Sequence, residues 1–190
     1  MTATEPSSIR LRAARPEDAG RVAELHADSW RRHYRGAYAD AYLDGDILSE
    51  RTAVWTERFA APEGTATILA EDGGELAGFT HTFLDHDPQW GSLIDNLHVR
   101  HTQQRSGIGR ILVAEACGII AERASRPAMY LWVLEQNSRA QGFYRAIGGT
   151  AVERALVPPP GGIPERLNGN PGCIRFSWPD GVVADAPPQV

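Results

Sequence analysis

Apolar side chains recur along this chain with two periods, and the switches between them mark its elements. Ile9 to Ala13 alternate apolar with polar and predict a first strand, closed by Arg15-Pro16. Pro16 followed by Glu17 and Asp18 reads as a helix opening, with proline in the first turn and two acids toward the positive end of the helix dipole. Ala19, Val22, Leu25, His26 and Trp30 then keep helical spacing, predicting a helix to Tyr34 that Arg35-Gly36 ends. A short helical piece holds Tyr38, Tyr42 and Leu43 and breaks at Asp44-Gly45. Ser49 reads as the N-cap of the next helix, whose buried stripe is Val54, Trp55, Arg58 and Phe59.

Past Pro62 and Gly64 the period drops to two. Thr65–Ala70 and Leu76–Leu84 predict antiparallel strands joined through Asp72-Gly73-Gly74, a hairpin signal. Pro88 and Gly91 isolate a strand from Ser92 to Val99. The clearest amphipathic helix follows from Gly107 to Arg123, with Ile108, Ile111, Leu112, Ala116, Ile119 and Ile120 on one face. Met129–Leu134 is apolar on both faces, as a strand covered above and below should be. Strand, helix and strand in this order form a βαβ unit, so the two strands should run parallel. A helix from Asn137 to about Ile147 closes at Gly148-Gly149, and a strand continues to about Val157. Pro158-Pro159-Pro160-Gly161-Gly162 reads as a loop of little intrinsic structure, Ile174–Trp178 as a last strand, and residues 179–190 as a disordered tail. The chain carries no internal repeat. These elements define one α/β (α+β) domain over residues 1–178.

Composition narrows the function. The 190 residues are 42% hydrophobic and 23% charged, a globular average that excludes disorder and fibrous repeats. A net charge of −5 argues against nucleic-acid binding, which needs a basic surface. No apolar run approaches the ~20 residues that cross a bilayer, and the first thirty residues show no secretory h-region. Cys117 and Cys173 therefore read as reduced thiols in a cytoplasmic protein without membrane partners.

The chemistry concentrates in Gln104-Arg105-Ser106-Gly107-Ile108-Gly109, between a strand and a helix start. Glycines there allow close approach to the backbone, and the helix start offers free N–H groups and a positive dipole end, together an anion site. A nucleoside-triphosphate loop would need Lys after Gly109, where Arg110 stands. A dinucleotide fingerprint would need glycine at Leu112.

Three motifs in order give the segment a context. Gln104, Gly107 and Gly109 match Gln/Arg-x-x-Gly-x-Gly/Ala; Asp95-Asn96-Leu97-His98-Val99 precedes them; and Asn137-Ser138-Arg139-Ala140-Gln141-Gly142-Phe143-Tyr144 matches Asn-x-x-Ala-x-x-Phe-Tyr. On these motifs the chain resembles the GNAT superfamily of N-acetyltransferases over about residues 9 to 178. The resemblance implies a mixed central sheet with helices on both faces and with splayed parallel fourth and fifth strands. Between those strands the pantetheine arm of acetyl-CoA would pair with backbone groups of Leu97, His98 and Val99. Its pyrophosphate would sit on amides of Arg105, Ser106, Gly107, Ile108, Gly109 and Arg110, the two arginines adding charge, with Asn137 and Ala140 on the far wall.

The implied reaction is direct attack of a primary amine, on a small molecule or a peptide, upon the thioester. A backbone N–H near Val99 would hold the oxyanion, and Tyr144 would protonate the departing thiolate, although without the motif it would read as a core aromatic. The carboxylate base that many relatives carry on the fourth strand is replaced here by Leu93. Asp95 could substitute or could instead bond a neighbour or face water; His98, His81 and water chains are the other candidates. Trp30, Tyr34, Tyr38, Tyr42, Trp55 and Trp90, with Asp85-His86-Asp87, would frame the acceptor pocket and recognise a cation, or simply pack. No ligand-spaced set for a metal and no Gly-x-Ser-x-Gly elbow occurs. A non-catalytic acyl-CoA sensor, or an acyltransferase with another donor or acceptor, is the rival reading. The oligomeric state is left open, a homodimer included.

Overall fold

In the computed structural model, which describes residues 9–183, β1 (Ile9–Ala13) leads through one 3-10 turn at Pro16–Asp18 into α1 (Ala19–His33). Glu17 and Asp18 stand in that first turn, as expected, and Asp18 has ionic partners as well. Its buried carboxylate takes two hydrogen bonds from the Arg12 guanidinium, each 2.7 Å, and one from the Arg15 amide at 2.8 Å. Arg12 also reaches Glu71 at 2.8 Å, so one ion network ties the first strand, the first helix and the hairpin together. After α2 (Asp40–Leu43) comes α3 (Ile47–Ala60), whose N-cap is Asp46 and not Ser49: the Asp46 carboxylate accepts from the Ser49 amide at 3.3 Å.

The remaining elements are β2 (Thr65–Asp72), β3 (Glu75–Asp87), β4 (Gly91–Val99), α4 (Ile108–Arg123), β5 (Met129–Leu134), α5 (Ser138–Ala146), β6 (Thr150–Leu156) and β7 (Gly172–Trp178). The sheet runs β1-β2-β3-β4-β5-β7-β6, antiparallel throughout except for β4 beside β5. Helices α1 and α3 cover one face through Val22, Leu25, Trp55 and Phe59 against Leu69 and Phe79. Helices α4 and α5 cover the other, where Val113, Ala116, Ile120 and Tyr144 meet Ile94, Leu131 and Phe176. On α4 the buried stripe includes Val113, whereas Ile111 is exposed.

The β6–β7 connection is more ordered than its prolines suggest. It forms 3-10 turns at Pro160–Gly162 and Pro164–Arg166, then bonds the α1–α2 segment: the Ala39 amide donates to the Arg166 carbonyl at 2.9 Å and the Asn168 amide to the Ala37 carbonyl at 2.8 Å. Val183 packs on the α4–α5 side of the core; residues 184–190, most of the expected tail, lie outside the described residues. Cys117 and Cys173 are free thiols.

One irregularity positions the site. The parallel pairing of β4 with β5 consists of Ser92 beside Met129 and Leu93 beside Tyr130, after which the strands part. Gly91 pins the start, since a side chain there would press into Ala128, its Cβ 2.1 Å from the carbonyl oxygen. On its other edge β4 bulges: Thr82 pairs with Ile94 and His81 with Asn96, leaving Asp95 as an extra residue. The bulge shifts the alternation. Ile94, Leu97 and Val99 pack toward α4, while His98 turns toward α1.

Candidate active site

The parted strands open a cavity of about 730 Å³. One wall is β4 from Ile94 to Val99, the other is β5 from Leu131 to Leu134 with α5, and the end of α1 closes one side with Ser29, His33 and Tyr34. A strand directs half its N–H and C=O groups to each neighbour. Among the described residues no strand past Leu93 takes those that β4 turns toward β5. The wedge therefore offers an extended ligand a strand-like set of partners.

Below the wedge the chain crosses from β4 to α4. Arg105 has φ +69° and Gly107 φ +87°, left-handed conformations that turn successive amides toward one side. As first residues of α4, Ile108 and Gly109 have N–H groups without intrahelical acceptors. A Cβ at Gly107 would meet nothing within 4 Å, so that position faces open space; one at Gly109 would lie 3.6 Å from Phe143 and 3.7 Å from Val99. Free amides, a helix N-terminus and two arginines make this floor suited to a phosphate-like anion. Gln104 spans the mouth, its Nε2 3.5 Å from the Val99 carbonyl and 3.3 Å from His33 Nε2.

Most residues singled out in the sequence converge here. Leu97, His98, Val99, Gln104, Arg105, Gly107, Gly109, Arg110, Asn137 and Ala140 line the cavity, as do Asp95 and Tyr144. Ser106 and Ile108 do not: the Ser106 hydroxyl donates to the Gln103 carbonyl at 2.6 Å, and the Ile108 side chain is buried beneath α4. Only their main chain is on hand for a ligand. The Asn137 Oδ1 caps α5 by accepting from the Ala140 amide at 3.1 Å, which fixes both residues at the wall.

Tyr144 is core aromatic and cavity wall at once. Its ring packs against Phe143, Phe176 and Trp178, and burial holds its phenol well above the ordinary range. Asp95 bonds neighbours: its carboxylate takes the Arg58 guanidinium at 2.9 Å and the Asn96 side-chain amide. His98 Nδ1 lies 2.8 Å from the Ser29 hydroxyl, and burial, with His33 nearby, lowers its pKa to about 3. His81 is likewise lowered to about 3, by burial and then Arg58, and does not line the cavity. Both are neutral, weak bases at physiological pH.

The aromatic framework differs from expectation. Of those rings only Tyr34 lines the cavity; Trp55 is fully buried and donates to His26 Nδ1 at 3.0 Å. The faces a cation would use carry the chain's own guanidinium groups. Arg51 lies 4.6 Å from the Trp30 centroid and Arg166 4.6 Å from that of Tyr42. Arg175 sits 4.5 to 4.9 Å from Trp90, Tyr130 and Trp132. The acidic run closes turns: Asp85 accepts from Ser125, and Asp87 from the Gln89 and Trp90 amides. Sequence reasoning missed Ser29, His33, Trp132, Arg139 and Phe143 on the cavity wall. Arg139 and Phe143 stood in the matched motif and were within reach; the others come from elements whose approach no local pattern reports. Among the described residues no group of three or more His, Cys, Asp or Glu side chains is arranged to hold a metal, and no helix is long and apolar enough to cross a membrane.

A seven-stranded mixed sheet split between two parallel strands, with an amide-lined helix start at the foot of the split, defines an α/β class with an anion-suited wedge, and comparison with known proteins makes the class specific. The family model for the acetyltransferase (GNAT) family matches residues 21–148, and the chain belongs to that family. It is 37% identical over 147 residues to a probable N-acetyltransferase of Mycobacterium tuberculosis, covering 74% of this chain and 79% of the relative. An uncharacterized N-acetyltransferase of Bacillus subtilis, YuaI, is 27% identical over 131 residues, 68% of this chain and 73% of the relative. Among solved structures, PaiA N-acetyltransferase of Thermoplasma acidophilum in complex with coenzyme A superposes with a TM-score of 0.69 at 19% identity, covering 90% of this chain and 99% of the other.

Proposed function

We propose that the protein is an acetyl-CoA-dependent N-acetyltransferase that moves the acetyl group to a primary amine of a small molecule or peptide. The observation that carries this reading is the continuity of two features: the unpaired β4 edge past Leu93 runs into the open amides of Ile108 and Gly109. A pantetheine arm fits the first and a pyrophosphate the second. The coenzyme A held by the Thermoplasma acidophilum relative supports a ligand of this kind.

The thioester would then stand where β4 and β5 part, beside Asp95, Tyr34 and Tyr144. Holding amine and thioester together supplies much of the rate, since attack becomes effectively unimolecular. A backbone N–H on the free β4 edge stabilises the oxyanion. The un-ionised phenol of Tyr144 gives its proton to the thiolate as the carbon–sulfur bond breaks. Leu93 leaves no carboxylate at the usual base position, and the Asp95 carboxylate is paired with Arg58.

That arrangement also gives the sensor reading its one supporting observation, and a single experiment separates the two. Acetyl-CoA is titrated into the protein, and thiol release is then followed with a panel of primary amines. Binding with amine-dependent release is the expected result. Binding that no amine converts into release establishes the sensor, and no binding overturns both.

A further inference from the structure

The pairing of β4 with β5 ends at Leu93, and two residues on Asp95 stands on the cavity wall. Both hydrogen bonds to its carboxylate fall on one oxygen: Oδ2 accepts from the Arg58 guanidinium at 2.9 Å and from the Asn96 side-chain amide. Among the described residues nothing donates to Oδ1. Arg58 is used as sparingly. Of its guanidinium nitrogens only Nη1 has an acceptor among the described residues, which leaves Nε and Nη2. Two rings hold the group in place, its central carbon 5.0 Å from the Trp55 centroid and 5.3 Å from that of Phe83. The Arg58 and Asp95 side chains keep 26% and 31% exposure, so a solute can reach both ions. An ion pair this exposed is weak and open to further partners.

We infer that the acceptor is a free α-amino acid, held as a zwitterion by this pair, its carboxylate on Nε and Nη2 of Arg58 and its amino nitrogen on Asp95 Oδ1. The inference rests on the acetyl-transfer reading above and narrows its acceptor. Nε and Nη2 form one fork of the guanidinium, spaced for the two oxygens of a carboxylate. An α-amino acid carries its two ions on one carbon, and Arg58 and Asp95 hold theirs in direct contact. The two pairs therefore close into a square of alternating charge, and the protein's own pair need not break. A simple alkylamine fills half of that square and leaves the fork empty. A polyamine brings a second cation toward Arg58. A peptide N-terminus offers an amide where the carboxylate belongs. With its nitrogen on Oδ1 the amino acid stands beside the parting of β4 and β5, where the thioester is placed above. The role assigned to Asp95 is positioning of that nitrogen.

The test screens the common L-amino acids for thiol release from acetyl-CoA, with spermidine and a tripeptide amide alongside. The best amino acid is then compared with its decarboxylated amine and its α-amide. The acid should exceed both by roughly 30-fold in kcat/KM, as the loss of a charged hydrogen-bonded contact predicts. Amine basicity works against this result for the amide, whose nitrogen loses its proton more readily than the acid's, so the preference reports recognition. Arg58→Met keeps an apolar side chain over Trp55 and Phe83, and acetyl-CoA titration reports that the groove is intact. Its KM for the acid should rise roughly 30-fold while that for the decarboxylated amine stays within about twofold, and Arg58→Lys should recover part of the difference. Spermidine, the tripeptide amide or a decarboxylated amine used as well as the acid overturns the zwitterion site while acetyl transfer stands. So does an acid preference that persists in folded Arg58→Met, because the carboxylate then lies elsewhere. A wild type that binds acetyl-CoA and acetylates none of these compounds overturns the acetyl-transfer reading, and this inference with it.

Discussion

The floor of the cavity and the aromatic face beyond it are built on opposite terms. From Val99 to Gly109 the cavity meets the Gln104 side chain and, among the described residues, a strand edge without a neighbour and helix amides without intrahelical acceptors. At Trp30, Tyr42, Trp90, Tyr130 and Trp132, of which Trp132 also lines the cavity, the groups are side chains already matched within the molecule, each ring carrying a guanidinium. Both regions are rich in residues that bind ligands elsewhere. In the first the unmet bonding capacity opens onto the cavity; in the second, at Arg175, it is enclosed by rings. Residue type points to a site only when the fold leaves that capacity unspent.

The sharpest way to break this contrast is to fill the floor. Gly107→Val places a branched side chain at φ +87° and aims it into open space. The strain costs on the order of 1–3 kcal/mol and the methyl groups occupy the anion's place. Acetyl-CoA affinity should fall by roughly 1,000-fold, about 4 kcal/mol, in a calorimetric titration, with the circular dichroism spectrum retained. Gly109→Ala is the milder companion: its Cβ makes ordinary contacts with Phe143 and Val99, so the fold tolerates it and affinity should drop less. Undiminished affinity in a folded Gly107→Val protein would show that the open amides bind nothing.

A second effect comes from the layer under α1. His81 and His98 are held neutral by burial, each lowered to about 3 from an ordinary value near 6.5. Below pH 6.5 the unfolded chain takes up protons that the folded one refuses, so stability is full above pH 6.5 and declines as pH falls toward 3. At pH 5.5 each residue should cost about 1.4 kcal/mol, near 3 for the pair. Asp18, lowered chiefly by its bond to Arg12, loses its contribution only below the ordinary carboxylate range, so the two windows separate. Urea unfolding from pH 8 to 5 measures the slope, and His81→Gln should flatten it by about one proton. A slope the substitution leaves unaltered would mean the buried rings titrate freely.

The same contrast explains what was legible in the sequence. Period and punctuation gave every strand and helix within a few residues, because the faces of α1, α4 and β5 answer to a local pattern. The glycine turn into α4 was readable because its cause is local too: Gly107 at a helix start. Asp46 as the cap of α3 went unread because Ser49, three residues on, is an equally good capping residue. The bulge at Asp95 has no signature in its own strand, since it exists only relative to β3. The Arg58–Asp95 pair joins residues 37 positions apart, and the Arg166 and Arg175 contacts with aromatic rings join residues more distant still. A pattern of aromatics and acids reports that such groups exist. It does not report which partners the fold has already given them.

The smallest expected effect isolates that last point. Arg175 is enclosed by three rings; its Nη2 meets Glu153 at 3.2 Å, while Nε and Nη1 are buried without acceptors and lie against aromatic faces. Its charge is thus stabilised by ring quadrupoles and one half-exposed carboxylate. Arg175→Met keeps a long apolar side chain against the rings and removes the charge, so the cation–π contribution is what disappears, about 1 kcal/mol. Relief of two unpaired donors offsets part of that loss. Urea unfolding should register a decrease of this size, and acetyl-CoA titration should register none, because Trp90 and Tyr130 do not line the cavity and Trp132 lines it from the β5 wall, not from the amide floor. A large fall in acetyl-CoA affinity would join the two regions into one site and return the aromatic face to ligand recognition.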